Sequence, residues 1–180
     1  EAQLVAAEID ADIRSLTDRN TSTMRAIRRK YSQSLQTAPV GFVFELATIL
    51  SKIDGYRWIA YELIRGHPAA FASLGWAELE RLGQGINSWW TVDAFARTLS
   101  GPAWQKGHVP DQLILKWARS SDRWWRRAAL VSTVALNVRS QAGRGDVPRT
   151  LTICRSLAGD QDDMVAKALS WALRELVRNL

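Results

Sequence analysis

The chain has 180 residues, 47% of them hydrophobic, enough for a sizeable buried core, and no apolar run approaches the roughly 18 residues that span a bilayer. One cysteine, Cys154, excludes an internal disulfide framework, and with only two histidines, His67 and His108, a zinc site is not expected. The net charge of +6 is lopsided: residues 1–93 carry 10 basic and 11 acidic side chains, whereas residues 94–180 carry 14 and 7.

Helical periodicity runs almost throughout, and strand-type alternation is absent. In chain order the pattern predicts helices over 2–17, 22–37, 40–53, 56–66, 76–83, 88–100, 110–119, 122–139, 147–158 and 162–178. Thr21 or Ser22 is the expected cap of the second helix, and Ser121 that of the helix beginning at Asp122. Pro110 and Pro148 suit first helical turns, and Gly159-Asp160 separates the last two helices. The N-terminal "EAQLVAAEID" lacks the basic-then-apolar layout of a secretion signal, so a soluble cytoplasmic protein (bacterial cytosol or nucleoid) is expected.

A repeat is visible. "LILKWARSSDRWWRRAAL" (113–130) and "ICRSLAGDQDDMVAKALS" (153–170) both read as helix, short polar turn, helix. At an offset of 40 residues Trp117 falls on Leu157, Asp122 on Asp162, Arg127 on Lys167 and Ala128 on Ala168. Helix pairs at this spacing suggest HEAT-like stacking. The expected fold is therefore all-α, a HEAT-like helical repeat solenoid (an α-α superhelix) with a concave basic surface, formed as a single repeat domain over 1–180. An irregular helical bundle is the alternative. The last segment, "WALRELVRNL", is still in full amphipathic pattern, which leaves room for a further helix pair beyond it.

Three stretches carry candidate chemistry. In "SWWTVD" (88–93), Trp89 and Asp93 are four residues apart and share a helix face. Trp90 is expected to turn into the core. An electron-rich indole beside a carboxylate suits a developing positive charge. The same pattern equally suits a packed tryptophan and an aspartate paired with one of the chain's arginines. In "SDRWWRRAAL" (121–130), Arg123, Arg126 and Arg127 cluster near a helix start, where guanidiniums and free N–H groups are suited to a phosphate. A solvated basic face paired with Asp122 or Asp111 is the alternative. In "KALSWALRE" (167–175), Lys167 and Trp171 share a face, and Lys167 repeats the position of Arg127. That equivalence predicts a ladder of cations along one surface. A basic half with interspersed tryptophans favours nucleic acid as partner.

In this order the three stretches resemble the AlkD-like family of DNA alkylation repair glycosylases, which are HEAT-repeat proteins. The family's W-x-x-x-D element is matched by Trp89 and Asp93, and its W-x-x-R-A helix by "WWRRAA", which places its arginine at Arg127. Its K-A-[IL]-x-W-x-L-R-E helix is matched in full by "KALSWALRE", which places its second tryptophan at Trp171. The likeness is good over about residues 85 to 180 and looser over 20 to 70, where "MRAIRRKY" and "YRWIAYELI" look like early repeats. One departure is Trp90, where the family usually carries an acidic residue.

The resemblance implies hydrolysis of the N-glycosidic bond of cationic N3- or N7-alkylated purines in double-stranded DNA, without flipping the base into a pocket. It implies Asp93, Trp89 and Trp171 as catalytic residues with Arg127 against the DNA, and the residue pattern adds Arg126, Lys167 and Arg123 as DNA-binding. It also implies that no cofactor or metal is needed, and that the protein is a monomer. A non-catalytic HEAT-repeat DNA-binding protein of the same family is the alternative, as is a helical scaffold for other proteins.

Overall fold

In the computed structural model, which describes residues 1–180, the chain is all-α, with no strand. It divides into two compact units, Glu1–Ser73 and Leu74–Leu180.

The first unit contains α1 (Ala2–Arg14), α2 (Thr21–Ser34), α3 (Val40–Leu50), α4 (Arg57–Gly66) and α5 (Pro68–Ala72). Ile9 and Ile13 of α1, Leu46 and Leu50 of α3, and Ile59 and Ile64 of α4 are fully buried. Each such side chain contributes about 1.5–3 kcal/mol relative to an exposed one. Two aspartates of α1 add polar ties: Tyr31 Oη donates to Asp12 at 2.9 Å and Tyr56 Oη to Asp10 at 2.8 Å. Asn20, rather than Thr21 or Ser22, caps α2, because its Oδ1 accepts from the N–H groups of both Ser22 and Thr23.

The second unit contains α6 (Trp76–Gly83), α7 (Trp89–Phe95), α8 (Gly101–Gln105), α9 (Asp111–Ala118), α10 (Arg123–Asn137), α11 (Val147–Ser156) and α12 (Asp163–Arg178). Helix α10 packs against α7, α8, α9, α11 and α12. Every residue from Arg127 to Asn137 is buried as a result. An ordinary amphipathic helix buries one stripe. Here small side chains (Ala128, Ala129, Ser132, Thr133, Ala135) let neighbours approach on all sides. The hydroxyls and the amide nitrogen on this helix find partners inside: Ser132 Oγ lies 2.7 Å from Ser100 Oγ, and Asn137 Nδ2 donates to Thr150 Oγ1 at 2.9 Å.

Between α7 and α8 the chain makes a π-helical turn, Ala96–Ser100, closed by the Gly101 N–H on the Ala96 carbonyl five residues back. The cause lies in the next two residues. Pro102 has no N–H to give, and its ring crowds the carbonyl four residues before it. Gly101 lies hard against α10, so that a Cβ on it would sit 2.7 Å from the Ser132 carbonyl oxygen. The predicted helix 88–100 therefore continues to Gln105, with a bulge in the middle.

The repeat offset of 40 residues has a structural counterpart. Asp122 and Asp162, aligned by it, are the N-caps of α10 and α12. Asp122, not Ser121, fills that role at α10, accepting from the Trp124 N–H at 2.8 Å. Trp117 and Leu157 are both buried, as are Ala128 and Ala168. Arg127 and Lys167 are not equivalent. Arg127 is 6% exposed, whereas Lys167 stands in solvent and pairs with Asp163 of its own helix. The expected ladder of like cations is not formed.

Candidate functional site

Helix α7 begins with a reciprocal cap. Ser88 Oγ accepts from the Thr91 N–H, and Thr91 Oγ1 accepts from the Ser88 N–H at 3.2 Å. Trp89 and Trp90 are thus the first two residues of the helix. The core-facing stripe is set by Val92, Phe95, Ala96 and Leu99, all fully buried. Trp90 lies about 160° around the helix from Val92, given 3.6 residues per turn. It therefore faces away from the core, 39% exposed, and the expectation that it packs inside is corrected. Trp89 is 57% exposed, on the stripe that continues through Asp93 to Arg97.

Asp93 meets Arg127 of α10 in a two-pronged ion pair. Arg127 Nε donates to Oδ1 and Nη2 to Oδ2, both at 2.9 Å. The third guanidinium nitrogen, Nη1, donates to the Met164 carbonyl of α12 at 2.6 Å. The side chains are 7% and 17% exposed for Arg127 and Asp93. One buried arginine thereby joins three helices and fixes the plane of the carboxylate. A carboxylate offers about four lone-pair positions. The arginine occupies one on each oxygen, so each keeps one for a water or a ligand.

The other cations singled out from sequence are also engaged. Arg126 Nε pairs with Asp160 at 2.7 Å, while its Nη1 donates to the carbonyls of Ser120 and Ser121. It closes the turn between α9 and α10. Arg123 lies over the Trp124 ring at 4.7 Å and reaches Asp162 at 3.4 Å. Lys167 Nζ lies 2.6 Å from Asp163. At the start of α10, where a phosphate was anticipated, the Asp122 carboxylate takes up the Trp124 N–H. Arg123 and Lys167 remain half or more exposed, and ion pairs of that kind contribute little and exchange readily. For Arg127 to reach a phosphate it would have to release Asp93.

Asp162 is more firmly held. Burial pushes its carboxyl up, but the Met164 N–H, Arg123 and the Val165 N–H outweigh that and leave it below the usual aspartate value.

Trp171, two turns beyond Met164 on α12, lies under a cation that the sequence patterns did not single out. The Arg97 guanidinium sits 5.7 Å from the centre of its ring. Arg97 belongs to the π-helical turn, and its carbonyl accepts from Gln141 Nε2 at 3.0 Å. The signal was present in the sequence: Arg97 is four residues after Asp93, and Pro102 foretells a break in the regular helix. The structure thus brings Asp93 and Arg127 into contact, places Trp89 on the stripe of Asp93, and sets Trp171 against the end of that stripe through Arg97.

No group of three or more His, Cys, Asp or Glu side chains is arranged to hold a metal ion, and no helix is long and apolar enough to cross a membrane. A family model described as DNA alkylation repair enzyme matches residues 17–179. No curated protein and no solved structure matches the chain significantly.

Proposed function

The chain belongs to the DNA alkylation repair enzyme family, and from that premise we propose that it is a monofunctional DNA glycosylase acting on cationic N3- or N7-alkylated purines in duplex DNA. The observation that carries the reading is the carboxylate of Asp93, oriented by a buried arginine and preceded one turn earlier by an exposed tryptophan.

The chemistry needs little more. A purine alkylated at N3 or N7 already bears positive charge, so it leaves without protonation. What must be stabilised is the sugar, which becomes oxocarbenium-like as the bond to the base stretches. Asp93 supplies negative charge beside it and, through a lone pair left free by Arg127, aligns the attacking water. The indoles of Trp89 and Trp171 wall the deoxyribose and attract its developing charge. Arg127 holds the carboxylate, while Arg123 and Lys167 exchange their exposed carboxylate partners for DNA phosphates. Arg126 supports the α9–α10 turn from which Arg123 projects. No cofactor enters this scheme. The base need not leave the stack, because Asp93, Trp89 and Trp171 act on the sugar and the cations on the backbone or on the protein itself.

The test is incubation with duplex DNA treated with a methylating agent, with chromatography of the released bases and Asp93→Asn in parallel. Release of 3-methyladenine or 7-methylguanine by the parent, reduced at least 100-fold in the variant, is expected, since a single oriented charge at a transition state is worth about 10²–10³ in rate. Duplex binding with no base release by the parent would make the chain a non-catalytic DNA-binding member of its family.

A further inference from the structure

The cations picked out by sequence pattern are neutralised within the protein. Arg123, Arg126, Arg127 and Lys167 face Asp162, Asp160, Asp93 and Asp163. The region around Asp93 would thus meet a polyanion with no net charge from these groups. Arg97 breaks the pattern. It is exposed, it has no carboxylate partner, and its guanidinium lies over Trp171. Its place is built rather than accidental. It stands in the π-helical turn at the end of the Trp89–Asp93 stripe, Gly101 and Pro102 impose that turn, and the Gln141 amide grips its carbonyl from the loop between α10 and α11.

We propose that Arg97 contacts the DNA phosphate flanking the sugar that Trp171 walls, and that the same guanidinium keeps the Trp171 indole in place. The inference rests on DNA as the partner in the reading above, not on base excision. A phosphodiester lies on either side of each deoxyribose. A cation over the indole that faces the sugar is therefore within a side chain's reach of one of them. The two contacts are compatible. Attraction to the ring uses the face of the guanidinium, whereas hydrogen bonds to a phosphate use the N–H groups at its edge.

The experiment measures binding to an unmodified duplex as a function of salt, for the parent and for Arg97→Ala, Arg97→Gln and Arg97→Lys. Each phosphate neutralised contributes about 0.9 to the slope of log K against log salt concentration. The Ala and Gln variants are expected to bind more weakly and to lose about 0.9 from the slope. Their deficit against the parent then shrinks about 3-fold between 50 and 200 mM salt. The Lys variant keeps the slope, because it keeps the charge. Circular dichroism and Tm confirm that all four proteins are folded. An unchanged slope in the Ala and Gln variants would overturn the proposal, as would a Lys variant that loses slope as they do, since the cause would then be structural. A parent that does not bind duplex DNA would overturn both this proposal and the glycosylase reading. Normal slopes with no base release would sink the glycosylase reading alone.

Discussion

At the scale of single residues, the pairing of Asp93 with Arg127 governs what mutations there will reveal. Of the bland alternative that the pattern "SWWTVD" permits, the structure contains the pairing of Asp93 with an arginine but not the packed tryptophan, since Trp89 is exposed. Removing the carboxylate leaves a guanidinium that is 7% exposed with one hydrogen-bond partner, Met164. Such a loss costs about 3–5 kcal/mol when one partner of a buried pair disappears. Asp93→Ala is therefore expected to be destabilised by about that much. Asp93→Asn keeps one acceptor and should lose about 1–3 kcal/mol. Adding Arg127→Met to Asp93→Ala should recover part of the loss. Urea denaturation of the parent, Asp93→Ala, Arg127→Met and the double variant reads this directly, and strictly additive losses would show that the pair does not couple the two helices. Excision by Asp93→Asn must accordingly be assayed well below its lowered Tm.

The aspartate and its tryptophan were legible in the sequence, because spacing of four residues fixes a shared stripe. The identity of the partner was not. With 19 arginines in the chain, only the folded arrangement selects Arg127. Trp90 was misplaced because its neighbour was judged alone. The stripe of Val92, Phe95, Ala96 and Leu99, also readable in the sequence, settles its direction.

At the scale of elements, ten helices were foreseen and each is present, with ends shifted by a few residues. The omissions have physical causes. Helix α5 has five residues, too few for periodicity to register. It stands on His67, whose Nδ1 accepts the Ala70 N–H at 3.0 Å. Helix α8 lies beyond the predicted end at residue 100, because a proline such as Pro102 interrupts the regular pattern, although here it sits in the first turn of a segment that resumes after the π-helical turn. Gly101 makes that turn possible. Gly101→Ala is expected to cost 2 kcal/mol or more, since its Cβ would meet backbone, which cannot step aside as a side chain can (about 1–3 kcal/mol for overpacking). If the variant folds, its duplex-binding salt slope should fall as in Arg97→Ala, because the turn aims Arg97. A Tm equal to the parent's would show that the turn has more room than its geometry indicates.

The cap of α12 offers a pH test. Asp162 titrates below its ordinary value of 3.8 in the folded protein, so its contribution is present above that pH and fades as the pH falls through the lower folded value. Asp162→Ala should lose about 1 kcal/mol at pH 7, typical of an N-cap. The Tm gap to the parent should close below about pH 3.8. A gap independent of pH would assign the loss to helix propensity rather than to the charge.

At the scale of the molecule, the two compact units each carry their own core, and the uneven charge of the sequence becomes more specific in the second. Seven of its cations are tied to carboxylates, so the positive excess resides in the cations left unpaired, such as Arg97. Composition could reveal the excess; only geometry reveals which charges are spent. Cys154 provides a reporter for this unit. Burial pushes its thiol up to about 11, so it stays protonated and shielded at neutral pH. Thiol reagents at pH 8 should leave the native protein unmodified and label it fully in denaturant. Rapid native labelling would indicate that α11 opens easily. Amides of α10 from Arg127 to Asn137 should be the slowest in this unit to exchange with deuterium, since releasing them requires five neighbours to part.

The three-helix node at Arg127 also bears on biosynthesis. Its aspartate lies 34 residues before it and its carbonyl partner 37 residues after it. A ribosome that has delivered α7 and α10 has made a carboxylate and an arginine without the third support. Only when α12 has emerged and docked is the guanidinium anchored on both sides, and Trp171 arrives with that same helix. The nascent chain therefore passes most of its synthesis without the complete node, and a molecule whose translation is cut short before α12 would pair Asp93 with an arginine anchored on one side only.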